Sequence, residues 1–93
     1  MNSDEIKNKL IDMIQTLFPD SGVDKDILPY VDLIDDLGMD SITFISIVVE
    51  VEGIFNIIVP DDLLEMDNFH HLDDIVKIVE SQMNTSEIEM ENV

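Results

Sequence analysis

Apolar residues near the start of the chain recur at the spacing of one helix face. They are Ile6, Leu10, Met13, Ile14 and Leu17, separated by four, three, one and three positions. This period predicts an amphipathic helix over residues 4–18. Ser3 is the candidate N-cap, because its hydroxyl can accept a backbone N–H of the first turn. Pro19 and Gly22 then end the helix.

Residues 19–38 form a long acidic connection that also carries apolar side chains. These are Leu28, Tyr30, Leu33, Ile34 and Leu37. Because the burial of apolar surface is favourable, we expect these side chains to hold the connection against the core, with one helical turn in it. Gly38 breaks the segment.

A second helix is predicted from Ser41 to about Gly53, with Asp40 as its N-cap. It contains the apolar run "ITFISIVV". The β-branched residues of this run, and those of "IIVP" further on, also suit a strand, but the alternation typical of a half-buried strand is poor. At helical spacing, one face should point into the core: Phe44, Ile47, Val48, Val51 and Phe55. These side chains should meet Leu10, Ile14, Leu17, Leu72, Ile75 and Val79.

The rest of the chain predicts one short and one long helix. Pro60 followed by "DDLLEM" is typical of a single-turn helix. The last helix should run from about His71 to Gln82, with Leu72, Ile75, Val76 and Val79 on one face. The predicted fold is therefore all-α, a small bundle of three long helices plus one short helix. We expect one domain over residues 1–82 and an acidic, disordered tail over residues 83–93.

The charge of the chain excludes several kinds of partner. It has 22 acidic residues, four lysines, no arginine and a net charge of −18. Nucleic acids and anionic membranes need clustered Lys and Arg, so we expect neither as a partner. An acidic surface instead steers basic proteins toward it. The N-terminus lacks the pattern of a signal peptide, and no apolar run nears the roughly 20 residues of a membrane span, so a cytoplasmic location is expected. We also expect a monomer.

Neither a catalytic nor a metal site is predicted. There is no cysteine and no G-x-S-x-G motif, and the two histidines, His70 and His71, are expected at the start of the last helix. A calcium loop starting at Asp32 would have Leu37 where its glycine belongs and Thr43 where its glutamate belongs. We therefore expect no enzyme activity and no defined metal site.

Ser41 is the strongest candidate for chemistry. A serine beside an aspartate at a helix start is usually a structural cap. Here a tight "DLG" turn should expose it, and a helix N-terminus favours an incoming phosphate group. The serine would offer that phosphate a primary hydroxyl.

The stretch "LGMDSI" resembles the attachment motif of the acyl and peptidyl carrier proteins. It comprises Leu37, Gly38, Met39, Asp40, Ser41 and Ile42, with Ile42 in place of the usual leucine. The apolar second helix up to Phe55, the "VPDD" that follows, the short third helix and the "NF" before the last helix also agree. The resemblance covers residues 4 to about 82.

This resemblance implies that Ser41 carries 4′-phosphopantetheine, with Asp40 as part of the motif. A phosphopantetheinyl transferase would move the group from coenzyme A, and loading and processing enzymes with basic docking surfaces would then use it. Acyl or aminoacyl cargo would be held as a thioester on the terminal sulfur of the group. The missing cysteine fits this interpretation, because the thiol arrives with the cofactor.

Some positions depart from the carriers of bacterial fatty acid synthesis. Where those proteins have acids along the second helix, this chain has Thr43, Ser46 and Gly53, and only Glu50 and Glu52 stay acidic. The pattern favours a discrete carrier for polyketide or nonribosomal peptide assembly. The alternative is a non-covalent, acidic helical interaction module in which Ser41 is only a cap.

A second apolar stripe on the same helix is the candidate partner surface. If one face fills the core, Ile42, Ile45 and Val49 remain, at spacings of three and four. Asp40 and Glu50 would rim this stripe and attract basic partners. Alternatively, the stripe packs beneath the long connection.

Overall fold

The chain folds as three α-helices joined by loops with short 3-10 turns. A computed structural model describes residues 2–91, with side chains described up to Met83. The helices are α1 (Ser3–Leu17), α2 (Ser41–Phe55) and α3 (Leu72–Glu91). The 3-10 helices are Leu28–Tyr30, Asp61–Leu63 and Met66–Asn68. No strand occurs in this part of the chain, which confirms the all-α prediction. The predicted short fourth helix is replaced by the last two 3-10 turns.

The first helix begins one residue before its predicted start. Asn2 is the N-cap, and its Oδ1 accepts the N–H of Glu5 at 2.9 Å. Ser3, the predicted cap, is instead the first helical residue, and its hydroxyl donates to Glu80 Oε2 at 2.6 Å. Asn and Ser cap helices about equally well, so sequence alone could not choose between them.

The second helix begins as predicted and ends two residues later than Gly53. Its last residue is Phe55, and Asn56 follows with φ 53° and ψ 50°, in the left-handed region. Asn tolerates this conformation better than most residues, and its N–H donates to the Glu52 carbonyl. The Glu52 carboxylate also accepts the N–H of Val59 at 2.9 Å, which ties the next loop to α2.

The third helix is longer than its apolar pattern predicts. The Asp74 carboxylate accepts the His71 N–H at 3.1 Å, and the Asp74 N–H donates to the His71 carbonyl at 3.0 Å. This reciprocal pair starts α3 at Leu72. The helix then continues to Glu91 rather than ending near Gln82, through residues such as Glu and Met that favour helix. The division into a domain over 1–82 and a tail over 83–93 stays a prediction.

The core lies where the helical spacing places it. All five inward positions of α2 are buried: Phe44, Ile47, Val48, Val51 and Phe55. Their predicted partners Leu10, Ile14, Leu72, Ile75 and Val79 are buried too, whereas Leu17 is half-buried. Phe44 also packs edge-to-face on Phe69, with ring centroids 4.9 Å apart. The core prediction is confirmed except at Leu17.

The long connection packs on this core through fewer side chains than predicted. Leu28 and Leu33 are fully buried, while Ile34 and Leu37 are half-buried. Tyr30 was expected on the core, but it is 83% exposed. It ends the 3-10 turn whose buried residue is Leu28, so the turn directs the leucine rather than the tyrosine inward.

Candidate functional site

A hydrogen-bonded turn carries the chain from the long connection into α2. The N–H of Asp36 donates to the Asp32 carbonyl at 2.8 Å, and the N–H of Gly38 donates to the Ile34 carbonyl at 3.1 Å. Gly38 has φ +70°, a conformation that glycine adopts without steric cost. The buried Met39 then donates its N–H to the Leu33 carbonyl at 2.9 Å. The chain is therefore held on both sides of the glycine just before Ser41.

The carboxylate of Asp32 organises this turn. Its Oδ1 accepts the N–H groups of Ile34 and Asp35, both at 2.9 Å. In return, the carboxylate of Asp36 accepts the Asp32 N–H at 2.8 Å. The Asp35 N–H, together with a bond to His70, holds the pKa of Asp32 below its ordinary value. These bonds favour the charged carboxylate, so the acidic sequence of the loop is partly structural.

Asp40 caps α2 and leaves Ser41 facing water. Asp40 Oδ1 accepts the Thr43 N–H at 2.8 Å, and this bond lowers the pKa of Asp40. Ser41 is the first residue of the helix and its side chain is exposed. The geometry thus presents a primary hydroxyl next to a fixed negative charge.

The histidines do not form a catalytic pair with Ser41 in the described part of the chain. His70 Nδ1 lies 2.8 Å from Asp32 Oδ2, and this hydrogen bond raises the pKa of the ring. His71 is exposed and occupies the start of α3, as predicted for it. Sequence reasoning missed the bond between His70 and Asp32, because no local pattern pairs residues so far apart along the chain.

Three possible metal-ligating side chains lie close together in this region. Asp32, Asp35 and His70 place ligand atoms within 4.8 Å of one another. Both Asp32 oxygens already accept hydrogen bonds, from backbone N–H groups and from the His70 ring. Hydrogen bonding accounts for this arrangement, and we assign no metal to it.

The second stripe of α2 is exposed rather than covered by the long connection. The exposed fractions are 78% for Ile42, 57% for Ile45 and 60% for Val49. Glu50 is exposed beside them. An apolar stripe that starts next to Ser41 is therefore open to a partner, although its role as a docking surface stays a prediction.

An open groove lies away from this site. It has a volume of about 380 Å³ and is lined by Met13 and Leu17 of α1 and by Glu50 and Ile54 of α2, among others. Ile54 is about 20 Å from Ser41 along the helix, at about 1.5 Å per residue. This end of the groove is therefore well separated from the Ser41 hydroxyl. Within the described residues, no helix is both long and apolar enough to cross a membrane.

Comparison with known proteins agrees with the geometry. Residues 8–79 match the family model of the phosphopantetheine attachment site. The chain is also similar to an acyl carrier protein of Lactobacillus johnsonii, with 32% identity over 85 residues, which cover 90% of this chain and 100% of the relative. Proteins of this kind are carriers rather than enzymes, and they hold 4′-phosphopantetheine covalently. The chain belongs to the phosphopantetheine-bearing acyl carrier protein family.

Proposed function

We propose that Ser41 is the attachment residue and that the chain carries acyl or aminoacyl intermediates on the arm attached there. The observation that supports this most directly is the exposed hydroxyl of Ser41 at the first position of α2, directly after the "LGMD" turn. The family match over residues 8–79 includes this position.

The residues around Ser41 fit a covalent phosphate ester. In the transfer, Ser41 Oγ gives its proton to a base of the transferase and forms a bond to the phosphorus on the pantetheine side of the coenzyme A diphosphate. The bond from that phosphorus to adenosine 3′,5′-bisphosphate breaks, and the nucleotide leaves. Asp40 fixes the start of α2 through its bond to the Thr43 N–H. The buried Met39 anchors the chain just before Asp40. When attached, the arm supplies a terminal thiol for thioesters, which this cysteine-free chain lacks.

The partners in this proposal are a phosphopantetheinyl transferase and the enzymes that load and process the cargo. The stripe of Ile42, Ile45 and Val49 would contact them, with Asp40 and Glu50 at its rim. The apolar side chains supply contact area, and the charges raise the rate of encounter with basic surfaces. We expect the carrier to act as a cytoplasmic monomer.

The surface of α2 supports a role outside the housekeeping fatty acid pathway. Ser46 directs its hydroxyl back to the Ile42 carbonyl at 3.2 Å, and Thr43 is half-buried. Gly53 offers no side chain at all. These positions add no negative charge to the partner-facing helix, so we propose a discrete carrier in polyketide or nonribosomal peptide assembly, or in related fatty-acyl synthesis.

Intact mass measurement after incubation with coenzyme A and a broad-specificity transferase tests the attachment site. The wild-type chain should gain one 4′-phosphopantetheine, and Ser41→Ala should gain none. Ser46→Ala, a serine change on the same helix, should be modified like the wild type. Because Ser41 is exposed, its replacement should change the unfolding free energy by less than about 0.5 kcal/mol.

Two results would count against this assignment. Mass added to Ser41→Ala would move the attachment site elsewhere. A wild-type chain that stays unmodified would favour the non-covalent interaction module, in which Ser41 only begins a helix.

A further inference from the structure

The turn before Ser41 is bonded to the start of α3 at two points. His70 Nδ1 lies 2.8 Å from Asp32 Oδ2, and the Leu33 N–H donates to the His70 carbonyl at 2.6 Å. We call Asp32, Leu33 and His70 the loop–helix junction. It joins segments that are 38 residues apart in the chain.

The junction is only one hydrogen bond away from the residues that present Ser41. The Leu33 carbonyl accepts the Met39 N–H, and Asp40 and Ser41 follow Met39 directly. Leu33 and Met39 are both buried in a closely packed core, so a displacement of one residue shifts the other. A loosened junction would therefore free the start of α2.

Negative groups surround the His70 ring. Asp32 and Asp35 face it from the turn, and Asp67 approaches Nε2 at 3.7 Å from the 3-10 helix just before it. The neighbouring His71 ring lies 6.4 Å away, centroid to centroid. The hydrogen bond to Asp32 raises the pKa of His70 most, and partial burial opposes it.

We propose that His70 is a positioning residue for the modification of Ser41: its ring holds the 32–40 turn against α3 and holds it most tightly in the protonated form. This role rests on the proposed function of Ser41. His70 contacts neither the hydroxyl nor the arm, and it acts only through Asp32, Leu33 and Met39.

The sign of the pH dependence follows from the two groups. The folded-state pKa of His70 is raised, so its contribution is complete below the unfolded value of about 6.5 and is lost as pH rises through the folded value. The pKa of Asp32 is lowered, so its contribution is present above about 3.9 and is lost as pH falls through the folded value. The junction is thus tightest between about pH 4 and 6.5. A neutral ring with a proton on Nδ1 still donates to Asp32, so the junction loosens at higher pH without breaking.

Three variants separate positioning from general stability. His70→Asn can place an amide N–H near the position of Nδ1, but it does not titrate. His70→Ala removes the donor. His71→Gln is the matched control, because His71 is the exposed neighbour whose ring lies outside the junction.

Amide hydrogen exchange at Leu33 and Met39 measures how stable the junction is, and it does so in the chain without an attached arm. Each variant is compared with the wild type at the same pH. At about pH 6, His70→Ala should lower protection about two- to fivefold, a range typical of an exposed ion pair. The deficit should shrink as pH rises through the folded-state pKa of the wild-type ring, which the bond to Asp32 raises above its ordinary value. His70→Asn should restore protection with no step in pH, and His71→Gln should match the wild type.

The rate of pantetheine transfer is measured as kcat/KM with one transferase at each pH. It should rank the variants in the same order as their exchange protection, with His70→Ala lowest. The proposed role of the junction would be wrong if His70→Ala were as protected as the wild type. It would also be wrong if His71→Gln lost as much protection as His70→Ala. Lost protection with unchanged transfer rates would overturn the positioning role. A wild-type chain that accepts no arm would overturn the proposed function and this role with it, whereas exchange would still decide whether the junction exists.

Discussion

The chemistry proposed for Ser41 depends on what its neighbours do. Met39 is buried, the Asp40 carboxylate accepts the Thr43 N–H, and the Ser41 side chain is exposed to water. Of these three successive residues, the first anchors the chain in the core, the second caps α2 and the third is exposed.

Asp40→Ala should lower the melting temperature and slow pantetheine transfer at neutral pH, because the Thr43 N–H loses its acceptor. Asp40→Asn, which can still cap, should retain most of both. The pKa of Asp40 is lowered in the folded chain, so the charged cap stabilises above about pH 3.9 and its contribution is lost as pH falls through the folded value. Thermal melts across acidic pH should show the wild type converging on Asp40→Asn. An alanine variant that melts like the wild type at neutral pH would contradict the cap.

The helix α2 has two apolar faces with different surroundings. One face is buried: Phe44, Ile47, Val48, Val51 and Phe55. The other, Ile42, Ile45 and Val49, is exposed. The neighbouring valines Val48 and Val49 thus lie on different faces of the same helix, one buried and one exposed. This contrast allows a matched pair of substitutions.

Ile45→Asp and Val49→Asp should fold but be modified and loaded more slowly, because they place a charge in the proposed docking stripe. Val48→Asp should fail to fold, since an unpaired carboxylate in the core is costly. Circular dichroism reports folding, and transferase kinetics report docking. Loss of folding in both stripe variants would instead assign the stripe to the core.

Phe55 closes the inner face of α2 near its C-terminal end. Phe55→Ala should destabilise the chain by about 3–5 kcal/mol, because it removes a buried ring and leaves a cavity. Ile58→Ala, at a site 77% exposed, should cost less than about 0.5 kcal/mol. Chemical denaturation of both variants measures the difference. Equal denaturation midpoints for Phe55→Ala and Ile58→Ala would show that Phe55 is not packed in the core.

At the scale of the whole molecule, negative charge opposes compaction. The net charge is −18, and seven acids and one lysine lie between Asp20 and Asp40. Asp32, Asp36 and Asp40 are held by backbone N–H groups, yet they still repel one another and their neighbours. Among the described side chains, Lys25 pairs with Asp12, at 3.8 Å and in an exposed position. Repulsion therefore outweighs the few ion pairs.

Modest salt or divalent cations should raise the melting temperature of the wild-type chain. At 0.1 M ionic strength charges are screened beyond about 10 Å, and the repulsion between the loop acids falls. The exposed lysine pairs weaken as well, but they contribute little. Calorimetry over a salt series tests this, and a melting temperature that falls or stays flat would contradict it.

Local patterns in the sequence predicted the presence of the three α-helices, the buried face of α2 and the position of Ser41 at a helix start. The reason is that these features are local: apolar spacing fixes which face is buried, and "LGMDS" combines a left-handed glycine, a cap and a hydroxyl within five residues. The family resemblance started from this stretch and extended to "VPDD" and "NF" further along the chain.

Three features depended on tertiary structure: which residue caps a helix, which side chain of a turn is buried, and which distant residues are in contact. Asn2 capped α1 in place of Ser3, and Asn56 set the end of α2, because near-equal caps are chosen by small differences in backbone geometry. Tyr30 stayed in water because the 3-10 turn directs Leu28 rather than Tyr30 toward the core. The bond between His70 and Asp32 forms only once the core has closed a long loop and brought α3 beside the turn. A contact of that separation has no local signature in the sequence, since its free energy is gained only after the rest of the chain has folded.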